Sequence, residues 1–249
     1  MRRHDLVKGH RRTVDRRALI GIGGALIAGA TLWPRRASAQ NKLRIGVIGS
    51  GNIGGTIGAL WVKAGHPVLF SSRHPEELKD MVAGLGDLAK AGTVEQAIAF
   101  GDVAFLGVPY KAVPDIGKDY GAALKGKIVL DACNARQDRD GDIAQEVMRD
   151  GVGITSQKYL PGTRLVRVFN ALSYAVFANE ANRPDPKLAV PLAGDDAEAV
   201  QVAAGLVRDA GFDPVVVGKL ADASRFQMGS PGFGLQLTAP ELKQKLSAQ

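Results

Sequence analysis

Six consecutive residues, Gly49-Ser50-Gly51-Asn52-Ile53-Gly54, have the types and spacing to hold a pyrophosphate. In a Gly-x-Gly-x-x-Gly turn the first glycine permits a tight reversal. The second lets the backbone approach the phosphates, and the third lets the following helix pack closely on the preceding strand. The binding groups are backbone N–H donors and the positive end of a helix dipole, so no reactive side chain is needed. A second group, Ser71-Ser72-Arg73, lies about 20 residues further on, where an NAD site carries an acid for the ribose 2′-hydroxyl. Here two hydroxyls and a guanidinium replace that acid. They suit a 2′-phosphate, because arginine meets phosphate with a two-pronged fork. The pair of motifs predicts a dinucleotide, and NADP over NAD. The plainer readings are a turn required by packing in a nucleotide-free domain and an Arg73 that is a solvated loop charge.

The flanks are those the turn requires. Residues 43–48 are apolar and rich in β-branched side chains, and residues 56–65 read as a helix ending on Gly65. Further strands are expected at 67–71, within 85–91, and at 102–108, 127–131, 165–170, 188–194 and 214–217. Helices are expected at 75–84, 94–100, 111–117, 143–150, 197–210 and 239–246. Thr93 with Gln96 forms a capping box for the helix at 94–100. The stretch 137–142 is acid-rich but lacks the terminal glutamate of a calcium loop, and reads as a solvated loop. Apolar strands alternating with helices imply an α/β fold, a doubly wound, mostly parallel sheet of Rossmann type with a short C-terminal extension. Residues 40–218 would form the NADP-binding domain and 219–249 the extension, whose Ser230-Pro231-Gly232-Phe233-Gly234 is a loop with an aromatic at its tip.

The chain has 249 residues and a formal net charge of +7. All of that excess lies in residues 1–39, which hold nine basic and two acidic residues, while the rest balances at 23 of each. No basic footprint remains on the body, which excludes nucleic-acid binding as its expected role. Residues 1–39 have the layout of an export signal: Arg16-Arg17-Ala18-Leu19, a glycine-rich apolar stretch from Leu19, and Ala37-Ser38-Ala39 before Gln40. The paired arginines followed by Leu19 resemble a twin-arginine signal, which predicts cleavage after Ala39, a periplasmic product and the export machinery as a partner of this segment. A Sec signal and an uncleaved anchor are the alternatives. One cysteine, Cys133, excludes an internal disulfide and a multi-cysteine metal site, and no metal is expected. Cys133 reads as a packing residue, and His66 and His74 as structural or solvated.

Taken together, residues 45–55, Ser71-Ser72-Arg73, Val108-Pro109, Asp131-Ala132-Cys133-Asn134 and Val168-Phe169-Asn170-Ala171-Leu172 resemble the family of coenzyme F420-dependent NADP oxidoreductases. The resemblance runs from about residue 43 to 218, with Ala135 standing where many relatives have proline. It implies hydride transfer between NADPH and a deazaflavin (F420) or flavin-type acceptor, a small molecule. By position, Ser50, Asn52 and Ile53 would contact the pyrophosphate, and Ser72 and Arg73 the 2′-phosphate. Val108, Pro109, Asn134 and Ala135 would lie along the nicotinamide and its ribose. Within that reading Asn134 is the candidate for fixing the ribose and Asn170 for orienting a substrate. Catalytic acid–base residues are not required, because the cofactors carry the reaction. A dinucleotide-binding module without turnover, and a ferric or imine reductase on the same domain, are the competing readings. A homodimer is left open.

Overall fold

The computed structural model describes residues 42–247. The first strand, β1 (Ile45–Ile48), is buried throughout, as are β2 (Val68–Ser71), β4 (Val103–Leu106) and β5 (Ile128–Asp131). Four-residue apolar strands of this kind must be covered on both faces, which is the position of parallel strands in a doubly wound sheet. The helices that cover them are α1 (Asn52–Lys63), α2 (Lys79–Leu85), α3 (Val94–Phe100) and α4 (Val113–Leu124), with the edge strand β3 (Ala89–Gly92) between α2 and α3. After β5 come α5 (Gln137–Asp140), α6 (Asp142–Asp150), α7 (Val152–Tyr159), β6 (Arg164–Val168) and α8 (Tyr174–Glu180). The chain then runs through β7 (Ala189–Gly194), α9 (Ala197–Asp209), β8 (Asp213–Gly218) and α10 (Ala239–Ser247).

The eight strands are ordered β3-β2-β1-β4-β5-β6-β7-β8. All adjacent pairs are parallel except β6 with β7, so the Rossmann-type α/β fold expected from the sequence is the fold observed. The order in which strands are added to the sheet reverses between β1 and β4, and the glycine turn leaves β1 at that switch point, where open α/β sheets bind ligands.

Several elements differ from expectation. The helix after β4 runs on to Leu124. Two helices, α7 and α8, were not expected. Residues 137–140 form a helical turn and not a solvated loop, and Asp140 is buried because it accepts the backbone N–H groups of Lys111 and Arg136. Residues 219–247 pack on the same body. Leu220, Ala223 and Phe226 join the core on one face of the sheet, and Leu242 and Leu246 of α10 pack with Ala189 and Val215. Phe233, expected at a loop tip, is partly buried against that first core. The opposite face is filled by an aromatic group in which Phe169 meets Trp61, Phe105, Phe177 and Phe212 at ring distances of 5.7, 6.1, 5.5 and 6.4 Å.

His66 is structural. Its Nδ1 faces the Leu43 carbonyl at 3.0 Å and its Nε2 faces the Asp209 carboxylate at 2.7 Å, tying the start of β1 to the end of α9. Burial pushes the Asp209 carboxyl up, but the hydrogen bonds from His66 and Lys42 outweigh it and hold the group below the usual carboxylate range. A carboxyl lowered by folding stabilises the fold above its unfolded pKa, and that stability is lost as pH falls through the folded value. Asp209→Asn is therefore expected to lower the melting temperature at neutral pH and to flatten its fall below about pH 4. Thermal unfolding followed across pH checks this; parallel curves for the two proteins contradict it.

Candidate functional site

The glycine turn separates packing roles from a binding role. Gly49 sits at φ +91°, a left-handed conformation that glycine adopts without strain. A Cβ on Gly54 would lie 1.9 Å from the Gly49 carbonyl oxygen, so this glycine is what lets α1 pack against the turn. A Cβ on Gly51 would meet nothing within 4 Å. Gly51 is the N-cap of α1, offers no side chain to cap it, and no acid stands in the first turn. The first N–H groups of a helix lack intrahelical partners. Here no side chain caps them and the dipole's positive end lies behind them, which is the donor set a pyrophosphate needs. Asn52 is exposed and Ile53 partly buried in this first turn.

At the end of β2, Ser71 is paired with Ile48 in register, and its hydroxyl points inward to donate to the Val47 carbonyl at 2.8 Å. Its carbonyl accepts both the N–H and the hydroxyl of Ser50, at 3.2 and 3.0 Å. Ser71 thus fixes the glycine turn to β2, and its hydroxyl is committed to the sheet. The expectation of two hydroxyls for a 2′-phosphate narrows to Ser72, which accepts the His74 N–H at 3.0 Å and keeps its own proton to donate. Arg73 is exposed and forms no ion pair among the described residues. A cation with no carboxylate partner at this point fits a phosphate.

Eight of the expected residues line one cleft of about 630 Å³: Gly49, Ser50, Gly51, Ser71, Ser72, Arg73, Val108 and Pro109. Leu78, Val94, Ile116 and Tyr120 give it apolar walls, and Glu77, Lys111, Asp115 and Asp119 add charge at its edge. A cleft of that size with few polar anchors is of the kind that holds a cofactor. Asn134, Ala135 and Asn170 lie outside this cleft, at the exits of β5 and β6. Asn134 donates from Nδ2 to the Asn170 carbonyl at 2.7 Å. Asn170 is buried, 1% exposed, and donates to the Phe226 carbonyl at 3.2 Å, so residues of the C-terminal segment cover the side chain expected to face a substrate. Phe169, between β6 and Asn170, sits at φ 60°. For a bulky residue that conformation costs roughly 1–3 kcal/mol, and the surrounding aromatic rings hold it.

Burial pushes the Cys133 thiol well up, and the nearby Asp131 carboxylate adds to this. The thiol stays protonated and packs, as expected of it. Sequence reasoning missed Asp131 and Arg167, which form an ion pair sealed from solvent on both sides, and Arg139 with Asp140. The signal was there. Asp131 and Arg167 are charges inside strands otherwise apolar and buried, and such charges occur only when paired.

Among the described residues no helix is long and apolar enough to cross a membrane. The export signal expected at 1–39 lies outside the described residues.

Residues 44–135 match the family model described as NADP oxidoreductase coenzyme F420-dependent. Metalloreductase STEAP3 of Rattus norvegicus is 27% identical over 188 residues, which cover 72% of this chain and 35% of that protein. The chain thus spans about a third of the length of this curated relative. A solved structure from Sinorhizobium meliloti, the hypothetical protein SMa0349, superposes with a TM-score of 0.65 at 27% identity, covering 79% of this chain and 95% of that one. A structure from Arthrobacter sp. FB24 named for F420-dependent NADP-reductase shares the fold at a TM-score of 0.62 and 20% identity, covering 73% and 87%. Residues 44–135 therefore carry an oxidoreductase-type Rossmann domain of the kind that the F420-dependent NADP oxidoreductase model describes.

Proposed function

We propose that the protein is an NADP(H)-dependent oxidoreductase that passes hydride between NADPH and a deazaflavin (F420) or flavin-type acceptor. The observation that carries this reading is the guanidinium of Arg73 at one end of the cleft, without an ion-pair partner among the described residues, together with the N-terminus of α1, which no side chain caps. NADPH, when bound, supplies the hydride and its electron pair. The chain's own residues bind and orient. Ser72 and Arg73 hold the 2′-phosphate, and the N–H groups of the first turn of α1 hold the pyrophosphate. Val108 and Pro109 line the cleft after β4, on the side proposed for the nicotinamide. The matched family model and the metalloreductase relative support reductive chemistry, and the latter favours including ferric acceptors in any test. Purified protein mixed with NADPH and, in turn, F420, free flavins and chelated ferric ion is expected to oxidise the reduced nicotinamide, seen as loss of its absorbance, with one of the three. Tight NADPH binding without oxidation by any of them supports the module without turnover instead.

In the same reading residues 1–39 export the folded protein to the periplasm, cleavage following Ala39. Arg16-Arg17, the apolar stretch and Ala37-Ser38-Ala39 support this, and cell fractionation tests it.

A further inference from the structure

Charged side chains hold four backbone groups of the exit loop of β5. The Cys133 N–H donates to Asp131 Oδ1 at 2.8 Å, and the Cys133 carbonyl accepts from Arg167 at 2.7 Å. The Asn134 carbonyl accepts from Arg139 at 2.6 Å, and the Arg136 N–H donates to Asp140 at 2.8 Å. The four side chains involved form two ion pairs, Asp131–Arg167 and Arg139–Asp140. Both carboxylates are sealed from solvent. Buried pairs of this kind bring little net stability, because desolvation offsets their attraction. Their consequence here is geometric, and it falls on Asn134. With Nδ2 directed at the Asn170 carbonyl, the Asn134 Oδ1 is buried and has no donor among the described residues, and the Oδ1 of Asn170 is in the same state. Neither amide can be reversed, since that would set oxygen against a carbonyl oxygen. A buried acceptor with no donor costs free energy, and a ligand that offers O–H or N–H groups removes the cost.

We infer that Asp131–Arg167 and Arg139–Asp140 are positioning pairs, which hold Asn134 so that its carboxamide oxygen accepts from donors at the nicotinamide-ribose end of the cofactor. The inference rests on the NADP reading above. It assigns these four residues no contact with the cofactor and no part in holding its adenosine end, which belongs to Ser72 and Arg73 at the exit of β2.

The test uses the full chain, two variants and two probes. One probe is 2′,5′-ADP, the adenosine half alone with its phosphates. The other is NADPH, whose nicotinamide emission reports its surroundings. Arg139 is about a third exposed, and in Arg139→Gln the amide keeps an N–H donor while Asp140 still accepts the backbone N–H groups of Lys111 and Arg136; circular dichroism establishes that the variant is folded before either probe is added. For this variant 2′,5′-ADP affinity is expected to stay within about twofold. NADPH affinity is expected to fall about tenfold, as for the loss of a hydrogen bond, with bound emission moving towards that of free NADPH. Arg167→Lys keeps a cation beside Asp131 but loses the fork, and is expected to give the same split between the probes. A parallel fall for both probes, or no change for either, overturns the positioning role. Failure of the wild-type protein to bind 2′,5′-ADP is a separate result and overturns the NADP reading itself.

Discussion

Arg73→Gln is expected to weaken NADP(H) binding about tenfold and to leave NAD(H) binding nearly unchanged. A charge-assisted pair with phosphate contributes about 1.5–3 kcal/mol, and the exposure of Arg73 puts the effect at the lower end. Glutamine keeps an N–H donor and removes only the charge and the fork. Glu77 lines the same cleft, so in the variant its carboxylate repels a 2′-phosphate that Arg73 no longer neutralises. Adding Glu77→Gln to Arg73→Gln is accordingly expected to recover part of the lost NADP affinity. NAD has no 2′-phosphate and registers neither change. Equal losses for both dinucleotides would show that Arg73 acts through the loop and not on the phosphate. Isothermal titration with each dinucleotide reads the difference.

The second large effect separates two glycines three positions apart. Gly51→Ala is expected to leave stability within about 0.5 kcal/mol, because the backbone there is at φ −72°, ψ −159° and the added Cβ meets no protein atom within 4 Å. Only a ligand can feel it. An alanine methyl at that point holds the pyrophosphate off the N–H donors, and loss of one such bond, about 1.5–3 kcal/mol, lowers affinity roughly tenfold to 100-fold. Gly54→Ala does the reverse. Its Cβ would lie 1.9 Å from a backbone oxygen, so α1 must move away from the turn, at about 3 kcal/mol or more. Thermal melts with and without NADPH distinguish the two. If Gly51→Ala binds NADPH as the parent does, the turn is a packing device and the binding reading fails.

Legibility in the sequence followed from how local each determinant is. The glycine turn, the apolar strands and the Thr93–Gln96 cap are written in contiguous residues, and the cap is present as a reciprocal pair of hydrogen bonds. The doubly wound, mostly parallel character of the sheet followed from alternation with helices; the order of its strands did not. The direction of β7 did not, because antiparallel pairing with β6 is decided by the connection through α8 and not by β7 itself. Helices α7 and α8 carry weak periodicity and gain their place from contacts with residues far along the chain, such as Gln227 accepting the Val152 N–H. Ser71 was legible as a residue at the right place, but its inward rotation depends on register with β1. Asp131 and Arg167 are 36 positions apart, and their pairing becomes visible only when β5 and β6 lie side by side. The residues proposed for the adenosine end are set locally, and those proposed for the nicotinamide end by long-range pairing.

The central claim is that this fold holds NADP in preference to NAD. Its most direct test is equilibrium titration of the purified, dinucleotide-free protein with NADPH and with NADH under one salt condition. The account predicts saturable binding of both, with NADPH tighter by about tenfold or more. Binding of NADH as tight as or tighter than NADPH, or binding of neither, contradicts it.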